Sequence, residues 1–458
     1  MDFASPIGGG KFKQVVKDIV HAEGAPIRQI EARKTKEEER LKLFQDFLSK
    51  FKKLQEIYKE LENLRKFREL KAEWPAKDLL DVGIDKDFAE PGEYQLQIDQ
   101  IAGRHSMISD GYESPDDEIG IGYFTYDLPD GDSKSVYIGP SNNTLKGIVR
   151  AINSERPLGL QASLINDGSG SDRSWRVVVA AKNTGVDNDI IYPYFYFLDG
   201  DFRFYVDDER PAQNALLQFN GFEIESQANR FELLPGVTLE LLQGKEDFEF
   251  TLNIVPDYAK ISAKIKALVD ALNAILEFIN KQNKLDAHSD TSRTLGGDTT
   301  LMTAESRIRN WVFEQFNVGN DWEDEEWFMR LSEVGVRFEK TGLLSFDENK
   351  FKKQLMANFD QVANLFSGYG NFIWKIKEMT ENFIITDTGV LGGRERGIRD
   401  RIKIMDQDIT RKEMNLQKRE ATLRRQFSQL EGLMNSMQGQ QQYLQQSFGS
   451  PGLLAGAI

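Results

Sequence analysis

The sequence predicts an α+β protein in which long helical, coiled-coil segments at the two termini form a leg and a β-rich, two-module head is inserted between them. Three observations predict it. Ile402, Ile409, Leu416, Leu423, Leu430, Met437 and Leu444 fall on one seven-residue repeat near the C-terminus, the period that keeps a narrow apolar seam facing a partner helix. Between Pro26 and Leu70 good helix formers dominate and there is no internal proline or glycine. Between these ends, alternating runs such as Tyr94 to Ile101 are separated by turn sequences such as Pro129-Asp-Gly131, which read as half-buried strands and their connections.

The C-terminal seam is incomplete. Met405 and Leu433 extend a companion row, but Lys412, Arg419, Gln426 and Gln440 occupy its other turns. So thin a seam does not hold a long helix in isolation, because helices gain stability mainly by burying a face. The N-terminal helix carries two apolar stripes: Leu41, Phe44, Leu48, Phe51, Tyr58 and Leu61, and Leu43, Phe47, Leu54, Ile57, Leu61 and Leu64. So wide a face suits a bundle, and the two termini are expected to pack together.

A length of 458 residues accommodates about three domains. A net charge of −15 opposes nucleic acid as a main partner, since phosphate binding needs a basic surface. Basic residues nevertheless outnumber acids from Gly392 to Phe427, either as a solvated helix face or as a surface that docks on acidic subunits. There is no cysteine, so thiol chemistry and disulfides are excluded. No window approaches the roughly 20 apolar residues of a membrane span, so membrane insertion is not expected. Met1 to Gly10 lacks the apolar core of a cleavable signal peptide.

In order, the expected regions are an N-terminal segment over 1–25, with a short amphipathic helix from Lys11 to Ala22, and a long helix within 26–80. The β-rich head covers 81–256, as one module over 81–110 plus 212–256 and another over 111–211. A helical part of the leg follows over 257–390, then the coiled coil and tail over 391–458. Within the head, Ile190 to Phe197 is expected to turn through Asp199-Gly200 into Phe202 to Val206. Thr144 to Asn153 reads as a helix. Beyond it, helices are expected from Tyr258 to Asn280, Thr299 to Phe316, Glu348 to Asn358, Asp360 to Phe366 and Phe372 to Phe383, with a hairpin at Thr341-Gly342. Asp347 is positioned as a helix cap, and Gly389 to Gly393 is expected to separate the coiled coil from what precedes it.

No catalytic constellation is visible. The three histidines, His21, His105 and His288, lie in different predicted regions without zinc spacing. Asp167-Gly-Ser-Gly-Ser-Asp172 lacks the ligand spacing and terminal Glu of a calcium loop and reads as a strand connection. No phosphate loop or nucleophile elbow occurs. No cofactor is expected. The aromatic run Tyr192 to Phe197, with Phe202, Phe204 and Tyr205, forms either a module core or an exposed binding face. Trp322 and Trp327 bracket an acidic stretch and are candidates for an interface, since Trp is enriched at binding hot spots.

Several stretches, in order, resemble the flagellar filament cap proteins, the hook-associated protein 2 family. They are Ala25 to Lys34, Pro91 to Ala102, Leu145 to Asn153 with Leu160 to Gly168, Leu233 to Leu241, Gly297 to Leu301, and Gly335 to Phe366 with its core Gly342 to Phe351. Ser5 to Lys11 departs from the family's usual N-terminal Gly-x-x-Ser-Gly-hydrophobic-Asp signature. The resemblance implies a non-enzymatic homo-oligomeric ring at the distal tip of the filament, extracellular and exported without a cleavable signal. It further implies flagellin, hook–filament junction proteins and an export chaperone as partners. A filament or hook-junction subunit and a surface adhesin that binds glycans are the alternatives.

Overall fold

A computed structural model describes residues 12–155, 159–199, 204–284, 293–319, 327–385 and 389–448. The chain divides into two compact units, Arg65–Ile261 and Met1–Leu64 with Ser262–Ile458.

Helix α1 (Lys13–Glu23) is followed after Gly24 alone by α2 (Ala25–Lys59). Pro26 stands in the first turn of α2, where no hydrogen bond from its nitrogen is required, and the Arg28 guanidinium donates back to the His21 carbonyl at 2.9 Å. Helix α2 stops at Lys59, short of the expected Leu70. A single turn, α3 (Leu64–Phe67), intervenes, and Leu70 opens strand β1 (Leu70–Glu73). The sequence there favours helix, but β1 pairs with a later strand, from Leu70 opposite Pro256 to Glu73 opposite Asn253. Ladder pairing at long range overrides a weak local preference.

Strands therefore begin before Asp81, and β2 (Leu80–Ile84) straddles that point. They continue as β3 (Gly92–Gln100), β4 (Ser106–Ser109), β5 (Gly122–Asp127) and β6 (Ser133–Ile138). After α4 (Leu145–Ser154) come β7 (Leu160–Asn166), β8 (Trp175–Ala181), β9 (Ile191–Phe197) and β10 (Val206–Arg210). The unit closes with β11 (Ala215–Phe219), β12 (Phe222–Ser226), β13 (Arg230–Leu234), β14 (Val237–Leu241) and β15 (Glu249–Pro256).

These strands surround two cores. Sheets β1-β15-β3-β11-β12 and β13-β14-β2 enclose one, in which Leu96 and Ile98 from the alternating run of β3 meet Leu217, Leu239 and Leu252. Gly236, between β13 and β14, has φ +73, and a Cβ there would lie 2.6 Å from the Ala89 nitrogen. Glycine alone fits so close a turn. Sheets β10-β4-β8-β7 and β6-β5-β9, with α4, enclose the second core. The Thr144 hydroxyl caps α4 by accepting from the Gly147 N–H at 3.2 Å. Among the described residues β9 does not pair with the segment ending at Val206, as the expected hairpin required. It pairs with β5, while β10 pairs with β4. Phe202 lies outside the described residues.

In the second unit, α5 (Tyr258–Asn283) buries Ile265, Leu268, Leu272, Ile275 and Ile279. Helix α6 (Thr299–Phe313) ends sooner than expected, because Gln315–Asn317 forms β16 against β17 (Phe328–Arg330). The expected hairpin is β18 (Val336–Phe338) with β19 (Leu344–Phe346). Asn273 of α5 holds it, accepting from the Leu344 N–H at 2.7 Å and donating to the Leu344 carbonyl at 2.9 Å. Asp347 caps α7 (Glu348–Ala357) by accepting from the Lys350 N–H at 3.0 Å, and α8 (Phe359–Ser367) and α9 (Phe372–Ile384) follow. The last helix, α10 (Val390–Phe448), incorporates Gly392 and Gly393, which were expected to lie in a break. Its first turns dock through Leu391 and Ile398, both buried, and that packing outweighs the cost of glycine in a helix.

The core of this unit is aromatic. Phe47 meets Phe51 edge-on at 5.1 Å and stacks on Phe278 at 5.1 Å, and Phe51 stacks on Phe383 at 5.0 Å. One face of α2 thereby joins α5 and α9.

Candidate assembly interface on the terminal helices

Helix α10 runs antiparallel to α1 and α2, and its side-chain pairs fix the register. Phe12 stacks on Phe427 at 5.4 Å. Glu23 accepts from Arg419 at 3.3 Å, Lys34 meets Asp406 at 2.5 Å, and Arg401 donates to Glu37 at 2.9 Å. The Gln45 amide donates to Glu395 at 3.0 Å. As the N-terminal number rises, its C-terminal partner falls nearly in step. Arg401, Asp406 and Arg419 of α10 are therefore matched to opposite charges on α1 and α2. These pairs are largely exposed, so each contributes little to stability, and their effect is to specify alignment.

The heptad seam divides at this register. Ile402, Ile409 and Leu416 are half-buried and Leu423 is 6 % exposed. Beyond Phe427 the pairing with α1 has ended. Leu430, Met437 and Leu444 are 49, 68 and 53 % exposed, and Leu433, Met434 and Tyr443 are exposed beside them. Residues 428–448 correspond to about 30 Å of helix at about 1.5 Å per residue. Among the described residues nothing covers this apolar length.

Glu395 of α10 responds to acid. The Gln45 amide and then the Arg399 guanidinium hold the Glu395 carboxyl below the ordinary glutamate value. A depressed folded value means that this stabilisation is complete above the unfolded value and is lost as pH falls through the folded one. Glu395→Gln is accordingly expected to flatten the acid limb of the pH–stability curve below about pH 4.5, as read by thermal melts from pH 7 to pH 3. An unchanged acid limb would contradict the assignment.

The other candidates fall elsewhere. Trp327 is 52 % exposed and its carbonyl accepts from the Val318 N–H at 2.6 Å, between β16 and β17; Trp322 lies outside the described residues. His105 is buried with Nδ1 2.6 Å from an Asp189 oxygen, whereas His21 is on α1; His288 lies outside the described residues. Asp167 serves its own turn, since the Ser169 N–H and hydroxyl and the Arg176 guanidinium hold its carboxyl at about 2. Among the described residues no group of His, Asp or Glu is arranged to hold a metal ion, and no helix is long and apolar enough to cross a membrane. The aromatic run divides by alternation: Phe195 and Phe204 are buried while Tyr192, Tyr194, Tyr196 and Tyr205 are exposed. Missed in the sequence were the partners of α10 on α1 and α2, namely Glu23, Lys34, Glu37 and Gln45. A single sequence holds no signal that separates them from a solvated face.

Paired terminal helices with an unsatisfied seam, flanking a strand-rich insertion, define a structural protein built to join an assembly. Two family models match the chain: the flagellar hook-associated protein 2 N-terminus over residues 9–105 and its C-terminus over residues 212–439. The B-type flagellar hook-associated protein 2 of Pseudomonas aeruginosa is 23% identical over 472 residues, covering 96% of this chain and 95% of that one. The flagellar hook-associated protein 2 of Escherichia coli K12 is 25% identical over 338 residues, 70% of each chain. The solved D1–D2–D3 domains of the Escherichia coli flagellar cap protein superpose with a TM-score of 0.59 at 21% identity, covering 78% of this chain and 99% of that one. The chain belongs to the flagellar hook-associated protein 2 family, the cap proteins at the distal end of the bacterial flagellar filament.

Proposed function

We propose that the chain assembles with copies of itself into a cap that directs flagellin into the growing filament, using the uncovered end of α10 to engage helices of the assembly. The observation that carries this reading is the division of the seam, in which Leu423 is buried while Leu430, Met437 and Leu444 are exposed. The exposed part is apolar enough to bind, yet Gln426, Gln440 and their neighbours keep it weak, which suits contacts that are exchanged as a filament lengthens. In this reading the two cores of the strand-rich unit are the two head modules, and the helical unit is the leg. Hook–filament junction proteins, an export chaperone and an extracellular position at the filament tip belong to the same proposal, as does Trp327 with Trp322 as a further contact.

Deleting the gene tests it. The expected result is free flagellin monomer in the medium with filaments absent or stunted. Full-length filaments from the deletion strain would overturn the cap reading.

A further inference from the structure

On the helical unit, α6, α9 and the start of α10 line an open groove of about 460 Å³. It gathers the Arg307 guanidinium from α6, the Asn382 amide from α9 and the Arg394 guanidinium from α10, with Thr299, Phe383 and Val390 beside them. Other arginines on the same helices are matched, Arg309 to Glu305 at 3.1 Å and Arg399 to Glu395 at 2.6 Å. Among the described residues Arg307 and Arg394 have no carboxylate partner, and no acidic side chain lines the groove. Asp298, at the start of α6, is committed to its cap, accepting from the Thr300 N–H at 2.8 Å. The net charge is −15, yet two guanidinium groups remain unmatched in one groove. Like charges gathered in this way repel one another until an anion joins them.

We propose that this groove receives the acidic stretch 321–327 of a second copy of the chain. That stretch holds five carboxylates and two tryptophans in seven residues. A guanidinium donates paired hydrogen bonds to a carboxylate and also stacks on an aromatic ring, so the stretch offers both of the partners that Arg307 and Arg394 lack. The occupant comes from a second copy because its own attachment is too distant. The stretch is joined to its unit at the β16–β17 pairing, where the Val318 N–H donates to the Trp327 carbonyl at 2.6 Å. The Asn371 amide donates to the Asn317 carbonyl at 3.0 Å, which fixes that pairing at the start of α9. Asn382 stands at the other end of α9, about 16 Å along the helix. Eight residues that leave and return to one point reach about 14 Å, short of the groove. Groove and acidic stretch are different surfaces, so each copy gives one and receives the other, a head-to-tail contact of the kind that generates rings. The inference rests on the reading that copies of the chain assemble, and it names one contact between them.

The test is fluorescence anisotropy of a dye-labelled peptide of residues 319–328, titrated with the full chain. Binding is expected, and it should weaken as NaCl rises from about 0.1 to about 0.5 M, because salt screens exposed charges. Arg307→Glu/Arg394→Glu should weaken it by about tenfold or more. Both side chains are exposed, and if the reversal disturbs the fold, Arg307→Gln/Arg394→Gln reads a smaller loss in the same direction. A peptide whose five acids are replaced by Lys should bind the Glu variant and not the wild type. No binding by the wild type, or equal binding by the groove variants, overturns the proposal. So does equal binding of a ten-residue polyglutamate, which would make the groove a general anion site. Binding that appears only in Glu323→Gln/Asp324→Asn/Glu325→Gln would place the chain's own stretch in the groove and overturn it too. A failed titration alongside absent filaments in the deletion strain removes this contact and leaves the cap reading standing.

Discussion

Phe51→Ala is expected to destabilise the helical unit by about 3–5 kcal/mol. Phe51 is completely buried, stacked on Phe383 and edge-on to Phe47. Truncation removes the transfer free energy of the ring and leaves a cavity between α2 and α9. That cavity cannot collapse easily, because Phe47 is held by its stacking on Phe278. The loss is a large part of the about 5–15 kcal/mol that holds a domain folded. Leu64→Ala, at a side chain 48 % exposed, is the control and should stay within about 0.5 kcal/mol of the wild type. Guanidinium unfolding followed by far-ultraviolet circular dichroism measures both. A cost below about 1 kcal/mol for Phe51→Ala would mean that its site relaxes without a cavity, contrary to this packing.

Local signals located much of this architecture, and long-range pairing set the rest. The alternation of Tyr94 to Ile101 found β3 and the residues it buries, Leu96 and Ile98. Asp347 caps the helix its side-chain chemistry announces. The end of the helical region was not legible, because the helix formers from Leu70 to Glu73 are recruited into β1 by a strand almost two hundred residues away. Nor was the partner of β9, since the turn residues Asp199-Gly200 suit a hairpin whether or not the following segment returns to the same sheet. The same holds within β5 and β9, where Tyr123 and Tyr196 become neighbours only through the register of the two strands. The heptad spacing identified a seam on α10, but seven-residue periodicity is indifferent to where the partner ends. Among the described residues the antiparallel alignment runs from Phe12 with Phe427 to Gln45 with Glu395, and the exposure of Leu430, Met437 and Leu444 marks the limit.

That limit supports a separation of folding from function. The triple variant Leu430→Lys/Met437→Lys/Leu444→Lys is expected to leave the stability of the isolated chain nearly unchanged and to abolish filament growth. Leu, Met and Lys have similar helix propensity, and all three side chains are largely exposed, so the isolated protein loses little. In the assembly the same positions would have to bury three ammonium groups, at a cost of several kcal/mol for each one left unpaired. Leu423→Lys is the opposite case: that residue is 6 % exposed against the N-terminal helices, and its replacement should lower the melting temperature of the isolated chain. The two variants are compared by thermal unfolding and by complementing a deletion strain, with filament length and flagellin in the medium as readouts. If the triple variant restores full-length filaments, the exposed seam is not an assembly surface, and the function of α10 ends at the turns already paired with α1 and α2.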